Sequence, residues 1–446
     1  MTTLQAPSRT ARRALTGPVR LRAQALAMLA ALAALCVAAV VGAVVVRGDA
    51  ARLRDTARDR AATAAELRFA LADLDAQRVD SLVPGHSADR PATLPPGRSA
   101  EEYEVGNRLL ALLTAQQRRT QVSDLLRRLG ADAAEGARIR GLLDGLGRYD
   151  DLSGRSAQED EQTPDRAAGH PPAATVMLSA EAGQVMHTEL LPGATALAAA
   201  YGRQAASAEA RAHDDAVRAA IAVGGAGTAA VAVLCHCQFR LAARYRRVLN
   251  PPLAAATLAV VVISALGSLS FLSAADRVTG AGRDALRPWT RLAEARAVAA
   301  EAAAAQGRWF VEPAPSTVDS ARFAALTRRL DGLLAAKDGR ASDDVLTLYG
   351  SFLADDVRLR QLRAAGRLDE ATTVLTEIGR GRVAFDFWDF STTLSADAGE
   401  RMAAFAAETG RTRSDLSGWP AVPAGVLAVS AALVLAGLRP RMAEYH

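Results

Sequence analysis

Four stretches of the chain carry no formal charge over about the 20 residues that a helix needs to cross a bilayer. They fall at 23–46, at 216–237 (charge-free from Ala219), at 252–275 and at 416–438. The second is the least apolar, because Gly224, Gly225, Gly227 and Thr228 interrupt it. Small residues of this kind let helices approach closely in lipid, so this span is expected to pack against its neighbours.

The two long segments left over, 47–215 and 276–415, have helical periodicity. In the later one, Val345, Phe352 and Leu359 repeat every seven residues, with Leu348, Asp355 and Leu362 as the companion series. That spacing predicts the a/d seam of a helix bundle. Asp355 is its odd member, expected to reach solvent or meet an arginine. In the earlier segment Leu67, Leu71 and Leu74 mark one helical face, Leu109, Leu112 and Leu113 a second, and Val122, Leu125 and Leu129 a third. Turn signals punctuate both segments: Pro84-Gly85, Pro95-Pro96-Gly97, Pro171-Pro172 and Pro192-Gly193, then Pro313, Pro315, Gly339 and Gly366. The polar, acidic stretch from Ser153 to Pro172 reads as a mobile loop.

The expected fold is therefore an all-α membrane protein. Four transmembrane helices would carry two separate extracytoplasmic domains, each an antiparallel helical bundle whose first and last helices continue the spans. The two halves share a layout that suggests a loose tandem duplication.

Composition sharpens this picture. Half of the chain is apolar but only 4% is aromatic. Ala and Leu carry the hydrophobicity, and both favour helix over strand. Basic residues are Arg throughout except for Lys337, a bias with Ala and Gly that fits a GC-rich, actinobacterial-type genome. The three cysteines, Cys36, Cys235 and Cys237, lie in or beside spans, so no disulfide framework is expected in the polar segments.

Charge assigns the sides. Residues 1–22 carry five Arg and no acid, and 238–251 carry Arg240, Arg244, Arg246 and Arg247 and no acid. The tail 439–446 nets +1, whereas 47–215 nets −5 and 275–415 nets −1. Basic short flanks stay in the cytoplasm. Both termini and the middle loop are thus expected inside, and both long segments outside the cell membrane. Trp289 and Trp419 would sit at the outer interface. The Val41-Gly42-Ala43 sequence resembles a signal-peptide cleavage site, but the first apolar run exceeds the usual length of roughly 7–15 residues, and it reads as a retained span.

Recognisable catalytic chemistry is missing from the sequence. The six histidines form no i, i+4 pair in the outer segments, and there is no phosphate-binding Gly-Lys loop, dinucleotide fingerprint or nucleophile elbow. Cys235-His236-Cys237 falls short of a four-ligand zinc set and reads as a span end. No cofactor, metal or nucleic acid is expected. The cytoplasmic pieces are too short to fold as an enzyme domain, and no span holds the ionisable residue that a coupled transporter usually needs. The chain thus reads as a non-enzyme.

Several phrases then become informative together. They are Ala70-Leu71-Ala72-Asp73-Leu74-Asp75-Ala76, Leu190-Leu191-Pro192-Gly193-Ala194 and Arg246-Arg247-Val248-Leu249-Asn250-Pro251-Pro252-Leu253. With them stand Ala295-Arg296-Ala297-Val298-Ala299-Ala300-Glu301, Arg308-Trp309 and Arg363-Ala364-Ala365-Gly366-Arg367-Leu368-Asp369-Glu370-Ala371. In order and spacing they resemble the GlnX-type four-span membrane sensor proteins of actinobacteria. The resemblance implies a sensor that takes amino-acid occupancy, with glutamate or aspartate as ligand, from an extracytoplasmic solute-binding lipoprotein. It implies relay to a soluble serine/threonine kinase of the PknG type. Relatives carry an Arg- and Asn-rich segment with a Gly-Pro-Gly-like turn before the last helix of the first domain. Here that region, Arg155 to Pro172, is acidic instead, which puts the partner in question.

Two residue sets follow from this reading. Asp73, Asp75 and Asp355 are the candidate sensing residues outside. Arg240, Arg244, Arg246, Arg247, Asn250, Pro251 and Pro252 form a candidate relay joint inside, because two successive prolines cannot continue a helix from the preceding turn. The expected partners are the binding protein, the kinase, the lipid bilayer and a second copy of the chain as a homodimer. Two other readings compete: an accessory subunit of a transport or cell-envelope complex, and a chemoreceptor-like protein that binds a small molecule directly.

Overall fold

The computed structural model describes residues 17–85, 100–163, 166–245, 251–312, 317–336 and 340–442. Among these residues every regular element is helical and no strand occurs. Helices α1 (Gly17–Asp55) and α2 (Ala62–Asp80) are followed by α3 (Ala100–Leu129), α4 (Gly136–Glu161), α5 (Ala173–Val185) and α6 (Leu191–Tyr245). The second half holds α7 (Pro251–Ala281), α8 (Arg287–Val311), α9 (Thr317–Leu334), α10 (Asp343–Ala364), α11 (Leu368–Thr376), α12 (Val383–Asp415) and α13 (Ala421–Met442). Four helical stretches are long and apolar enough to cross a membrane.

The chain divides into two compact units. The first takes its described residues from Met1–Ala51, Ala210–Val278 and Gly410–His446. Its core is apolar: Met28, Leu35 and Ala43 of α1, Val223 and Leu234 of α6, Val260 and Phe271 of α7, and Leu427 and Val434 of α13. The outward faces are equally apolar, with Val37, Val41, Val44, Leu258, Leu269 and Val429 exposed. Such a surface is costly in water at roughly 25 cal/mol per Å², but has no such cost against lipid tails. The glycine-rich span packs as expected. A Cβ at Gly224 would lie 3.2 Å from Ser268 Oγ, and one at Gly227 would overlap Ser264. The Ser268 hydroxyl donates to the Ala220 carbonyl at 3.1 Å. The last span differs from expectation at its start: 416–420 is a turn, and α13 begins only after Pro420.

The second unit joins Arg52–Glu209 with Thr279–Thr409. This corrects the expectation of two separate bundles, because both polar segments build one body. The reason lies in α2 and α8. Leu67 to Ala76 and Ala297 to Ala300 are buried without interruption, so neither helix has the polar face that the outer helix of a bundle requires. Each instead covers the other. They run parallel, since their ion pairs step forward along both chains: Glu66 with Arg296 at 2.7 Å, Arg68 with Glu301 at 2.8 Å, and Asp75 with Arg308 at 2.8 Å.

π-helical turns occur at Thr56–Ala61 ahead of α2, Met186–Leu190 ahead of α6 and Gly282–Leu286 ahead of α8. The helix is unbroken through each. Two of them explain a misread turn signal. Pro192 and Pro288 each follow a π turn, and the carbonyls four residues before them, at Thr188 and Asp284, lie inside it. A proline has no N–H for that carbonyl and its ring clashes with it; the wider π turn accommodates both. Pro192-Gly193 thus lies within a helix, and Gly193 packs closely on Leu142. Gly366, with φ of 74°, does end α10, where Arg367 N–H bonds the Leu362 carbonyl at 2.9 Å.

Four further expectations are corrected. The loop expected from Ser153 starts only after Glu161, because Ser153, Ser156 and Asp160 form a buried helical stripe. Leu109 and Leu113 of α3 are exposed, and Ala111 and Ala115 face inward in their place. Trp289 is buried within the second unit instead of lying at an interface. The seam of α10 keeps Val345, Phe352 and Leu359, but Tyr349 and Asp356 take much of the companion role given to half-buried Leu348.

Candidate functional site

Asp73 and Asp75 both lie in the buried stretch of α2, and each meets an arginine. Arg118 of α3 donates from Nε to Asp73 at 2.5 Å. Asp75 receives Arg308 of α8 at 2.8 Å and the Tyr149 hydroxyl of α4 at 3.3 Å. Arg308 also donates to His187 Nε2 at 2.6 Å. Burial opposes the guanidinium charge, but Asp75, Asp319 and Tyr149 together outweigh it and hold Arg308 above its ordinary value. Burial, then Arg308, pushes His187 down to about 3, so its imidazole is neutral and accepts. Burial, then Asp75, pushes the Tyr149 hydroxyl well up. This cluster is a fully occupied lock between the two chain segments. Its polar groups satisfy one another and leave little for a ligand.

The same helices position a cavity of 500 Å³. Gln77 and Asp80 come from the end of α2, and Leu110, Thr114 and Arg118 from α3. Leu375 and Thr376 of α11, Ile378, and Phe385, Phe387 and Trp388 of α12 supply the opposite wall. Neither segment forms it alone. Asp80 carries no ion pair or side-chain hydrogen bond among the described residues. Desolvation, reinforced by Asp73, pushes its carboxyl up to about 7. It packs on α8, where a Cβ at Gly307 would lie 3.0 Å from Asp80 Oδ1. Sequence reasoning missed Asp80. The available signal was four acids, Glu66, Asp73, Asp75 and Asp80, on a helix with only Arg68 and Arg78 of its own.

A second cleft, of 620 Å³, is lined by Arg58, Glu66, Phe69, Arg128, Trp289 and Arg296, with small residues of α12 opposite. Arg296 stacks 3.5 Å from the Phe69 ring centroid while bonding Glu66, and burial lowers its basicity.

Asp355 is apart from these sites. It meets Asp386 of α12, and burial, then that carboxylate, raises it to about 6. The acid thus outweighs the expected arginine contact: Arg358 and Arg382 act on Asp355 too, in the opposite direction and more weakly. The three candidate sensing residues do not come together. Of the relay set, Pro251 opens α7 and Pro252 follows, the first-turn place where a missing N–H costs nothing. Arg240 is exposed near the end of α6, which also includes Arg244. Arg246, Arg247 and Asn250 lie outside the described residues. Cys235, His236 and Cys237 are consecutive residues within one turn of α6, and Cys237 is buried.

No family model matches this chain, and neither a curated protein nor a solved structure does.

Proposed function

We propose that this protein is a non-enzymatic transmembrane sensor that relays an extracytoplasmic signal to a separate cytosolic protein. The observation carrying this reading is the α2–α8 pair. Both helices follow, through a π turn without a break, from helices apolar enough to span a membrane. Parallel helices tied by three ion pairs form an element on which binding can act, and helix shifts of roughly 1–2 Å are the usual scale of such switches. The flank charges support an outer location for the second unit and an inner one for the termini and the 238–251 loop. The GlnX-type resemblance supports a solute-binding lipoprotein as input and a serine/threonine kinase as output. The cavity walled by both segments favours direct binding of a small molecule as the second reading.

The test compares cells with and without the gene, with and without added external amino acids, by phosphoprotein profiling and affinity purification. The reading expects a solute-dependent change in phosphorylation that disappears with the gene. An unchanged profile, with stoichiometric recovery of transporter subunits, would replace it with the accessory-subunit reading.

A further inference from the structure

We infer that the 500 Å³ cavity between α2, α3 and α12 binds a small organic cation, an alkylammonium with an apolar body, at Asp80. The inference gives a ligand class to the direct-binding form of the sensor reading and rests on that reading only for its consequence in the cell.

Charge complementarity selects the ligand. Among the described residues of the cavity wall Asp80 is the one acid, and no described side chain neutralises it. The only cation among the described wall residues is Arg118, and its guanidinium is engaged: Nε bonds Asp73 at 2.5 Å and Nη1 bonds Gln121 at 2.8 Å. An anionic ligand would have to compete with Asp73 for Arg118 and would meet Asp80 as well. A cation meets a carboxylate that no described side chain engages.

The opposite wall suits the same ligand. Phe385 and Trp388 stand 5.8 Å apart, centroid to centroid, with their planes tilted by 42°. Trp388 is 60% exposed, as are Ile378 at 61% and Leu110 at 49%. Exposed aromatic faces attract a cation and shield its alkyl groups. Burial and then the nearby Asp73 disfavour the ionised form of Asp80, and a bound ammonium would offset both. Because Asp80 packs on Gly307 of α8, the ligand would press on the α2–α8 contact.

The experiment uses the full chain in lipid nanodiscs, with phenethylammonium as probe and phenylacetate as the anion of matching shape. Binding is followed by calorimetry and by tryptophan fluorescence. Saturable binding of phenethylammonium, none of phenylacetate, and affinity weakened about tenfold or more by Asp80→Asn and by Trp388→Leu are expected. Each variant's melting temperature, kept near that of the parent, shows that it folds. No saturable binding of phenethylammonium, equal binding of phenylacetate, or unchanged affinity in Asp80→Asn overturns the inference. Because binding is read on purified protein, its failure leaves the sensor reading standing. Saturable binding together with an unchanged phosphorylation profile would sink the sensor reading and leave the site.

Discussion

Arg308 and Asp75, 233 residues apart in sequence, meet at 2.8 Å and are both nearly excluded from solvent. Their bond joins the two chain segments at the centre of the second unit. Removing one partner strands a buried charge, which typically costs about 3–5 kcal/mol. Arg308→Ala and Asp75→Ala are each expected to lower the melting temperature steeply. The double substitution should cost clearly less than the sum, because the second removes the stranded charge. Additive losses in a thermal unfolding series would show that the pair does not act as a unit.

Asp355 makes stability depend on pH. Its folded value, about 6, lies above its ordinary value of 3.8. Between those values the folded protein binds a proton that the unfolded chain does not, so this group's contribution falls as pH rises. Asp355→Asn, which mimics the protonated form, should raise the melting temperature at pH 8 and change it little at pH 4. Melting curves at the two pH values check the sign, and a gain confined to the acidic side would refute it.

Gly227 leaves no room for a side chain against Ser264. Gly227→Leu should therefore disrupt the packing of α6 on α7, with an overpacking cost of about 1–3 kcal/mol or more. Ser264→Gly in the same chain should restore part of the loss. Melting in detergent reads both, and a Gly227→Leu protein as stable as the parent would show that the two helices can separate freely.

The sidedness inferred from flank charge has a direct test. In a chain whose three native cysteines are replaced by serine, Cys at Thr120 or Ser342, both exposed, should react with an impermeant maleimide in intact cells. Cys at exposed Arg240 should react only after lysis. The opposite pattern would invert the topology.

The basic loop tests the relay. Gln at Arg244, Arg246 and Arg247, with compensating Lys at residues 5–8, should preserve insertion and abolish the solute-dependent phosphorylation change. Correct insertion with a normal response would make the loop an anchor for topology and anionic lipid alone.

The sequence by itself determined the four apolar spans, the helical character of everything between them and the close packing of the second span. These are properties of a local window: charge-free length, the three-to-four residue repeat, and small residues at a contact face. It also placed Val345, Phe352 and Leu359 on an inward face, because burial along one helix follows its own periodicity. Only the tertiary structure decided that the two polar segments form one body. The Ala-rich run of α8 from Ala297 to Ala305, broken only by Glu301, marks a helix with little exposed surface, but nothing local says which helix covers it. The same limit governs charge. Asp75 finds Arg308, Asp73 finds Arg118, Asp355 meets Asp386 ahead of Arg358 and Arg382, and Asp80 finds no partner among the described residues. A carboxylate's environment depends on what arrives from more than 30 residues away, and in a medium of low dielectric that arrival decides whether it is a lock, a proton-binding pair or an open site.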